Sequence, residues 1–171
     1  MTPPAPLLLP LADAEATARL GTTLAPLLQA GDVLLLEGPI GAGKTHFARA
    51  LIQERLRGAG LLPEDVPSPS FTLVQVYEAA GTEIWHADLF RLGNVAEADE
   101  LGLSDAFETA ICLIEWPERL GEEAPADALR LAFAYDDEAR IVTLSASAPR
   151  WQPLLADLCR AFAASHARGA P

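Results

Sequence analysis

The chain has 171 residues, and half of them are apolar. This length and composition predict one compact domain over residues 1–171, because the chain is too short to form two domains that each bury a sizeable core. Twelve Lys and Arg residues against 24 Asp and Glu residues give a net charge of −12, which argues against a free-standing nucleic-acid binder held by phosphate contacts.

The sequence also indicates the cellular compartment of the protein. No apolar run approaches the roughly 18 residues that a membrane-spanning helix requires. Cys112 and Cys159 lack the neighbours that a disulfide framework or a zinc site would need. The Pro-rich start lacks the basic segment of a secretory signal, so we expect a cytoplasmic protein. The loosest parts should be the ends, at about residues 1–10 and 166–171.

The first part of the chain predicts a helix, a buried strand, a glycine-rich turn and a second helix. Asp13 is placed to cap the first helix, which should end near Gly31. Val33–Leu36 contains four apolar residues without alternation, a pattern typical of a strand buried on both faces of a parallel sheet. The second helix is predicted from Thr45 to about Leu56.

The rest of the chain predicts two hairpins, a second buried strand and a closing helix. In chain order, we expect strands over Phe71–Tyr77 and Glu83–Ala87, short helices over Val95–Leu101 and Leu103–Phe107, strands over Ile111–Ile114, Leu129–Tyr135 and Arg140–Leu144, and a helix carrying Trp151 to Phe162. The short links within the strand pairs favour antiparallel hairpins. The elements together predict a three-layer α/β domain with a mostly parallel central sheet plus antiparallel hairpin strands.

A phosphate-binding motif lies between the first strand and the second helix. Gly38–Thr45 reads GPIGAGKT and matches G-x-x-x-x-G-K-[ST] at every fixed position, which predicts a P-loop NTPase. Its glycines let backbone amides approach phosphate oxygens, and the helix points its N-terminus at them. The Lys44 side chain would lie near the β- and γ-phosphates, and the Thr45 hydroxyl would contact Mg²⁺.

A Mg²⁺ ion held by one hydroxyl needs further oxygen ligands, and two acids are candidates. Asp88 follows Ile84–Ala87, and Glu115 follows Ile111–Ile114, so each acid stands where an apolar strand ends. Ligands bind at this edge of open α/β sheets. The alternative interpretations are a turn or cap residue for Asp88 and a solvent-facing strand end for Glu115. The residues alone leave the choice of metal ligand open.

Four more segments follow the loop in a particular order: VPSPSFTL at Val66–Leu73, HADLFRL at His86–Leu92, LGL at Leu101–Leu103 and LIEWPERL at Leu113–Leu120. In this order they closely resemble the bacterial TsaE (YjeE) family, over about Glu15 to Leu144. That family supplies the ATPase for making threonylcarbamoyladenosine at position 37 of tRNA.

The resemblance implies roles for individual residues. It makes Thr45 and Glu115 the Mg²⁺ ligands, and it makes Asp88 an essential acid that orients water or links the metal to the loop. The expected catalytic residues are therefore Lys44, Asp88 and Glu115. The expected nucleotide-binding residues are Thr17, Gly41, Ala42, Gly43, Lys44, Thr45, His46 and Arg140, with Thr17 and Arg140 near the base and sugar.

The resemblance further implies ATP hydrolysis in partnership with the TsaD–TsaB heterodimer, with tRNA contacted only through that complex. His46 departs from the family, which commonly has a second threonine there, and His86 is interpreted as a satisfied core or supporting imidazole. Two other functions stay open. A small-molecule P-loop kinase would need an Arg-bearing lid, and no Arg-rich lid segment is evident. A nucleotide-gated binding module would show negligible turnover.

Overall fold

The computed structural model describes the backbone of residues 2–168 and the side chains of residues 2–164. Its seven strands form one sheet and are β1 Leu7–Leu11, β2 Val33–Glu37, β3 Val74–Ala79, β4 Thr82–Asp88, β5 Ile111–Glu115, β6 Leu129–Asp136 and β7 Ala139–Ser145. The helices are α1 Ala14–Leu24, α2 Lys44–Gly58, α3 Ala96–Glu100, α4 Leu103–Thr109 and α5 Gln152–Arg168. Short 3₁₀ segments cover Ala25–Leu27, Pro117–Glu123 and Pro149–Trp151.

The strand order is β1-β7-β6-β2-β5-β4-β3. The four central strands β6, β2, β5 and β4 pair in parallel, and antiparallel pairings of β1, β7 and β3 complete both sides. This confirms the predicted mixed α/β architecture, with parallel strands at the centre and hairpins at the flanks. The carboxyl ends of β2, β4 and β5 meet at one edge because these strands are parallel neighbours.

Apolar side chains pack on both faces of the sheet and give the domain three layers. Helices α1, α2 and α5 contribute to the core on one face, and α3, α4 and the Pro117–Glu123 segment contribute to the core on the other. Strand β2 serves both, since Leu34 and Leu36 point to the first core while Val33 and Leu35 point to the second. This two-sided burial explains the apolar runs without alternation. No helix in the part of the chain that the structure describes is long and apolar enough to cross a membrane.

The N-terminal segment departs from expectation because Leu7–Leu11 is an ordered edge strand paired with β7. Residues 7–10 are therefore not a loose end. The strand buries Leu9 and Leu11 and exposes Pro10 between them. A proline is tolerated here because an edge strand has one side without ladder hydrogen bonds. At the other end, α5 continues to Arg168, and residues 169–171 of the expected loose tail lie outside the described residues.

Two element boundaries also differ from the sequence prediction. The first α-helix ends at Leu24 and gives way to a 3₁₀ turn, because Pro26 has no backbone N–H for the helical ladder. The predicted strand at Phe71 begins only at Val74. Just before it, the Leu73 amide donates to the Pro69 carbonyl at 2.7 Å, and Leu73 has a φ of 66°. That left-handed turn keeps residues 68–73 as a loop beside the sheet edge.

The close packing of α1 on α2 depends on Gly21, and this makes a test of the fold. A Cβ added at Gly21 would lie 2.7 Å from the Phe47 carbonyl oxygen, a backbone atom that cannot move aside. Gly21→Ala is therefore expected to cost about 2 kcal/mol through overpacking. Thermal denaturation should show a melting temperature lower by roughly 4–8 °C. Gly58→Ala is the matched control, since a Cβ there meets no atom within 4 Å; equal melting temperatures for the two variants would contradict the packing argument.

Candidate functional site

The glycine-rich loop between β2 and α2 has the backbone shape that its sequence predicted. Gly43 stands at the N-cap of α2 with a φ of 109°, a left-handed conformation that side chains rarely adopt. Gly38 has a φ of 132°, and a Cβ there would lie only 2.3 Å from the Phe133 carbonyl oxygen. The loop thus requires glycine at both positions, and it places the N-terminus of α2 at the edge where the parallel strands end.

A cavity of about 510 Å³ opens beside this loop. It brings together residues far apart in sequence, and its lining is Ile40, Gly41, Gly43, Lys44, Thr45, His46, Arg49, Ser68, Ser70, Asp88, Phe90, Arg91, Glu115 and Trp116. All three expected catalytic residues lie in this lining. Five of the eight expected nucleotide-binding residues lie there too; Thr17, Ala42 and Arg140 do not.

Lys44 is buried and is held by its own loop. Its Nζ donates to the carbonyl oxygens of Gly38 and Pro39, the latter at 3.0 Å, and lies 4.1 Å from the centre of the Trp116 ring. Burial lowers the pKa of Lys44 below 10.5, while the nearby charges of Glu115, Glu118 and Asp88 act in the opposite direction. The ammonium group therefore contacts two uncharged carbonyl oxygens and one aromatic ring. A negatively charged ligand could replace these contacts, because hydrogen bonds between charged groups are stronger.

Thr45 and Glu115 meet across 70 residues of sequence. The Thr45 hydroxyl lies 2.9 Å and 3.0 Å from the two carboxylate oxygens of Glu115, to which it donates. The carboxylate is buried, and its strand β5 pairs in parallel with β2, so that Glu115 stands opposite Leu36 just before the loop. The sheet register thus brings the last residue of β5 to the first turn of α2.

Asp88 is the neighbour of Glu115 in the register between β4 and β5. Its carboxylate accepts a hydrogen bond from the Ser70 hydroxyl at 3.2 Å and one from the Phe90 amide at 3.0 Å. Ser70 in turn lies 2.7 Å from the Ser68 hydroxyl. Asp88 thereby connects the loop of residues 68–73 to the cavity, and its hydrogen-bond partners differ from those of the Thr45–Glu115 pair.

The donor set fits a magnesium ion. The described residues contain no cluster of three or more His, Cys, Asp or Glu side chains arranged to hold a metal. Thr45 and Glu115 nevertheless place a hydroxyl and a carboxylate within hydrogen-bond distance of each other beside the cavity. Proteins commonly hold Mg²⁺ through one or two carboxylates together with substrate phosphates. The expectation that Thr45 and Glu115 are the metal ligands is therefore chemically consistent with the geometry.

Thr17 and Arg140 line another, smaller cavity beside the loop, with a volume of about 240 Å³. Ala42, Gly43 and His46 line it as well. The Arg140 guanidinium donates to the Gly41 carbonyl at 3.3 Å and 3.4 Å and to the Glu138 and Ala139 carbonyls at 3.1 Å and 3.0 Å. Thr17 and Arg140 thus lie beside the phosphate loop but do not line the cavity of 510 Å³.

His46, which the resemblance marks as a departure from the family pattern, contacts the first residue of α1. Its Nε2 lies 2.9 Å from the Ala14 carbonyl oxygen, so this nitrogen carries a proton and donates. The imidazole lines both cavities and links the N-terminal ends of α1 and α2.

Sequence reasoning missed the contribution of Tyr135 and interpreted His86 as a satisfied core or supporting imidazole. The Tyr135 hydroxyl donates to the Ile40 carbonyl at 2.6 Å across 95 residues of sequence, and nothing in the sequence near Tyr135 signals this support of the loop. His86 is fully buried, and its Nε2 lies 2.8 Å from Glu115 Oε1, but its Nδ1 has no partner among the described residues. The imidazole is therefore a supporting group, as interpreted, but only half satisfied.

Comparisons with known proteins show which family the chain is similar to. The family model described as "Threonylcarbamoyl adenosine biosynthesis protein TsaE" matches residues 11–142. Proteins with the name "tRNA threonylcarbamoyladenosine biosynthesis protein TsaE" include one from Bacillus subtilis, 34% identical over 149 residues, covering 85% of this chain and 89% of its own. Another, from Treponema pallidum, is 38% identical over 113 residues, covering 66% of this chain and 79% of its own.

A solved structure supports the same assignment. The crystal structure of YdiB from Bacillus subtilis superposes with a TM-score of 0.73 at 28% sequence identity, covering 94% of this chain and 97% of that one. The family match spans the phosphate loop, both strand-end acids and the β3–β4 hairpin. The chain therefore belongs to the TsaE family of threonylcarbamoyl adenosine biosynthesis proteins.

Proposed function

We propose that this chain is a Mg²⁺-dependent ATPase required for the threonylcarbamoyladenosine modification of tRNA. Membership of the TsaE family supports the place in tRNA modification. One observation carries the ATPase activity: a phosphate-loop lysine, the hydroxyl of the next residue and two strand-end carboxylates line a single cavity. This is the set of groups that phosphoryl transfer to water requires.

Different residues of the cavity bind the phosphates, hold the metal and orient the attacking water. The loop amides and the Lys44 ammonium bind the phosphates of ATP once Lys44 exchanges the Gly38 and Pro39 carbonyls for phosphate oxygens. Thr45 and Glu115 hold Mg²⁺, which when bound neutralises charge on phosphate oxygens. The Asp88 carboxylate, fixed by Ser70 and the Phe90 amide, accepts a hydrogen bond from the attacking water and orients it.

The partners follow from the same proposal. The chain acts with TsaD- and TsaB-like proteins, and its net charge of −12 suits a component that leaves tRNA to other subunits. The small cavity lined by Thr17 and Arg140 receives the nucleoside end of ATP. Both cysteines are free, and the exposed Cys159 suits a reducing compartment, which supports a cytoplasmic location.

Phosphate release tests this function and separates it from its rivals. The purified chain, incubated with ATP and Mg²⁺ and no other substrate, is expected to release inorganic phosphate, with faster release when TsaD- and TsaB-like proteins are added. Phosphate production requires only water as acceptor, whereas a kinase would transfer the phosphoryl group to a hydroxyl substrate and would produce ADP without inorganic phosphate. Nucleotide binding without phosphate release, with the partners present as well, would instead identify a gated binding module and refute the ATPase.

A further inference from the structure

His86 lies behind the metal-binding carboxylate, on the neighbouring strand. Strand β4 directs Ile84, His86 and Asp88 to the same face, since side chains alternate along a strand. His86 pairs in register with Leu113, two residues before Glu115. Its imidazole therefore contacts the Glu115 carboxylate from within the protein interior. Glu115 lines the cavity, whereas His86 does not.

The contact between His86 and Glu115 has a defined direction. A carboxylate only accepts hydrogen bonds, so His86 Nε2 carries the proton and donates to Glu115 Oε1 at 2.8 Å. The same oxygen also accepts from the Thr45 hydroxyl at 2.9 Å. A hydroxyl rotates and can exchange partners, whereas a fully buried imidazole keeps its position. When Thr45 engages a metal, His86 is the contact that still holds the carboxylate.

The other ring nitrogen argues against a purely structural role. His86 Nδ1 is buried without a hydrogen-bond partner among the described residues, and an unpaired polar atom in a core is unfavourable. An apolar side chain of similar size would avoid that penalty. His86 instead leaves Nδ1 unpaired and makes one hydrogen bond to Glu115 through Nε2.

We infer that His86 is a positioning residue that orients the Glu115 carboxylate for the metal. The inference rests on the proposed function, because it assumes that Glu115 holds Mg²⁺ with bound ATP. Hydrogen bonds from residues behind a metal ligand typically change metal affinity by roughly 10–100-fold when removed. Replacing His86 should therefore reduce the increase in nucleotide affinity that the metal causes. The nucleotide affinity without metal should not change.

The test measures the affinity for a non-hydrolysable ATP analogue by calorimetry, once with Mn²⁺ and once with EDTA. For the wild-type chain, Mn²⁺ is expected to strengthen binding. His86→Leu should reduce this Mn²⁺-dependent gain about 10-fold or more, with the affinity in EDTA unchanged. His86→Gln, whose amide nitrogen can take the place of Nε2, should keep the gain within a few-fold.

Ile84→Val is the matched control, since Ile84 is equally buried on the same strand and pairs in register with Ile111, four residues before Glu115. It should lower the melting temperature slightly and leave the Mn²⁺-dependent gain intact. If His86→Leu does not fold, His86→Asn serves in its place, because its shorter amide falls short of Glu115 and should also lose the gain. If Mn²⁺ strengthens analogue binding in His86→Leu or His86→Asn as much as in the wild type, the positioning role of His86 is wrong and the proposed function still stands. A wild-type chain that binds no analogue in either condition would overturn the proposed function as well.

Discussion

Lys44→Ala should weaken ATP binding by about 100-fold, or roughly 3 kcal/mol, because the variant loses a charged hydrogen-bond donor to phosphate. The wild-type ammonium group is held by the loop carbonyls, and the charges of both strand-end carboxylates act on it. Phosphate release should fall below detection as a result. The fold should persist, since Lys44 belongs to neither apolar core and alanine is a better helix former.

Lys44 is the single lysine in the sequence, which makes its role directly observable. In a chain labelled with ¹³C-lysine, the Lys44 side chain gives one NMR signal, and this signal should shift on addition of ATP. Its titration midpoint without ligand should lie below 10.5, because burial disfavours the charged form.

Arg57→Ala controls for a general loss of positive charge, since Arg57 is an exposed cation at the far end of α2. This variant should bind ATP like the wild type. Unchanged ATP affinity in Lys44→Ala, measured beside this control, would refute the phosphate site.

Glu115→Gln should raise the Mg²⁺ concentration needed for half-maximal phosphate release about 10-fold or more. The glutamine is uncharged, and its single carbonyl oxygen must serve both Thr45 and His86, which now share the two oxygens of the Glu115 carboxylate. Asp88→Asn should lower the maximal rate with little change in the Mg²⁺ requirement, because Asp88 is held by Ser70 and the Phe90 amide, apart from Thr45.

The two variants control for each other, since both remove one buried negative charge from the same cavity. The measurement is the rate of phosphate release as a function of Mg²⁺ at saturating ATP. A larger Mg²⁺ requirement in Asp88→Asn than in Glu115→Gln would exchange the two roles. Equal profiles would mean that both acids hold the metal.

Local sequence determined much of the fold and the heart of the site. The loop Gly38–Thr45 is contiguous, so its amides, Lys44 and Thr45 could be identified from one motif and the helix that follows it. The strands β2 and β5 could be identified too, because burial on both faces leaves an unbroken apolar run. The antiparallel hairpins followed from short links between strands.

Edge positions and local turns were harder to predict. Leu7–Leu11 contains Pro10, which argues against a strand in general but is allowed at a sheet edge. The start of β3 moved because Leu73 adopts a left-handed turn that its own residue type does not favour. In both cases, neighbouring elements outweighed the local preference of the chain.

Tertiary structure alone decided which distant residues meet. The sequence left Asp88 and Glu115 equivalent as strand-end acids; the parallel register of β2, β5 and β4 places Glu115 against Thr45 and Asp88 against Ser70. The same register puts His86 behind Glu115. A motif records residues that are close along the chain, whereas a hydrogen bond across 70 residues exists only after the strands have paired and the core has closed around them.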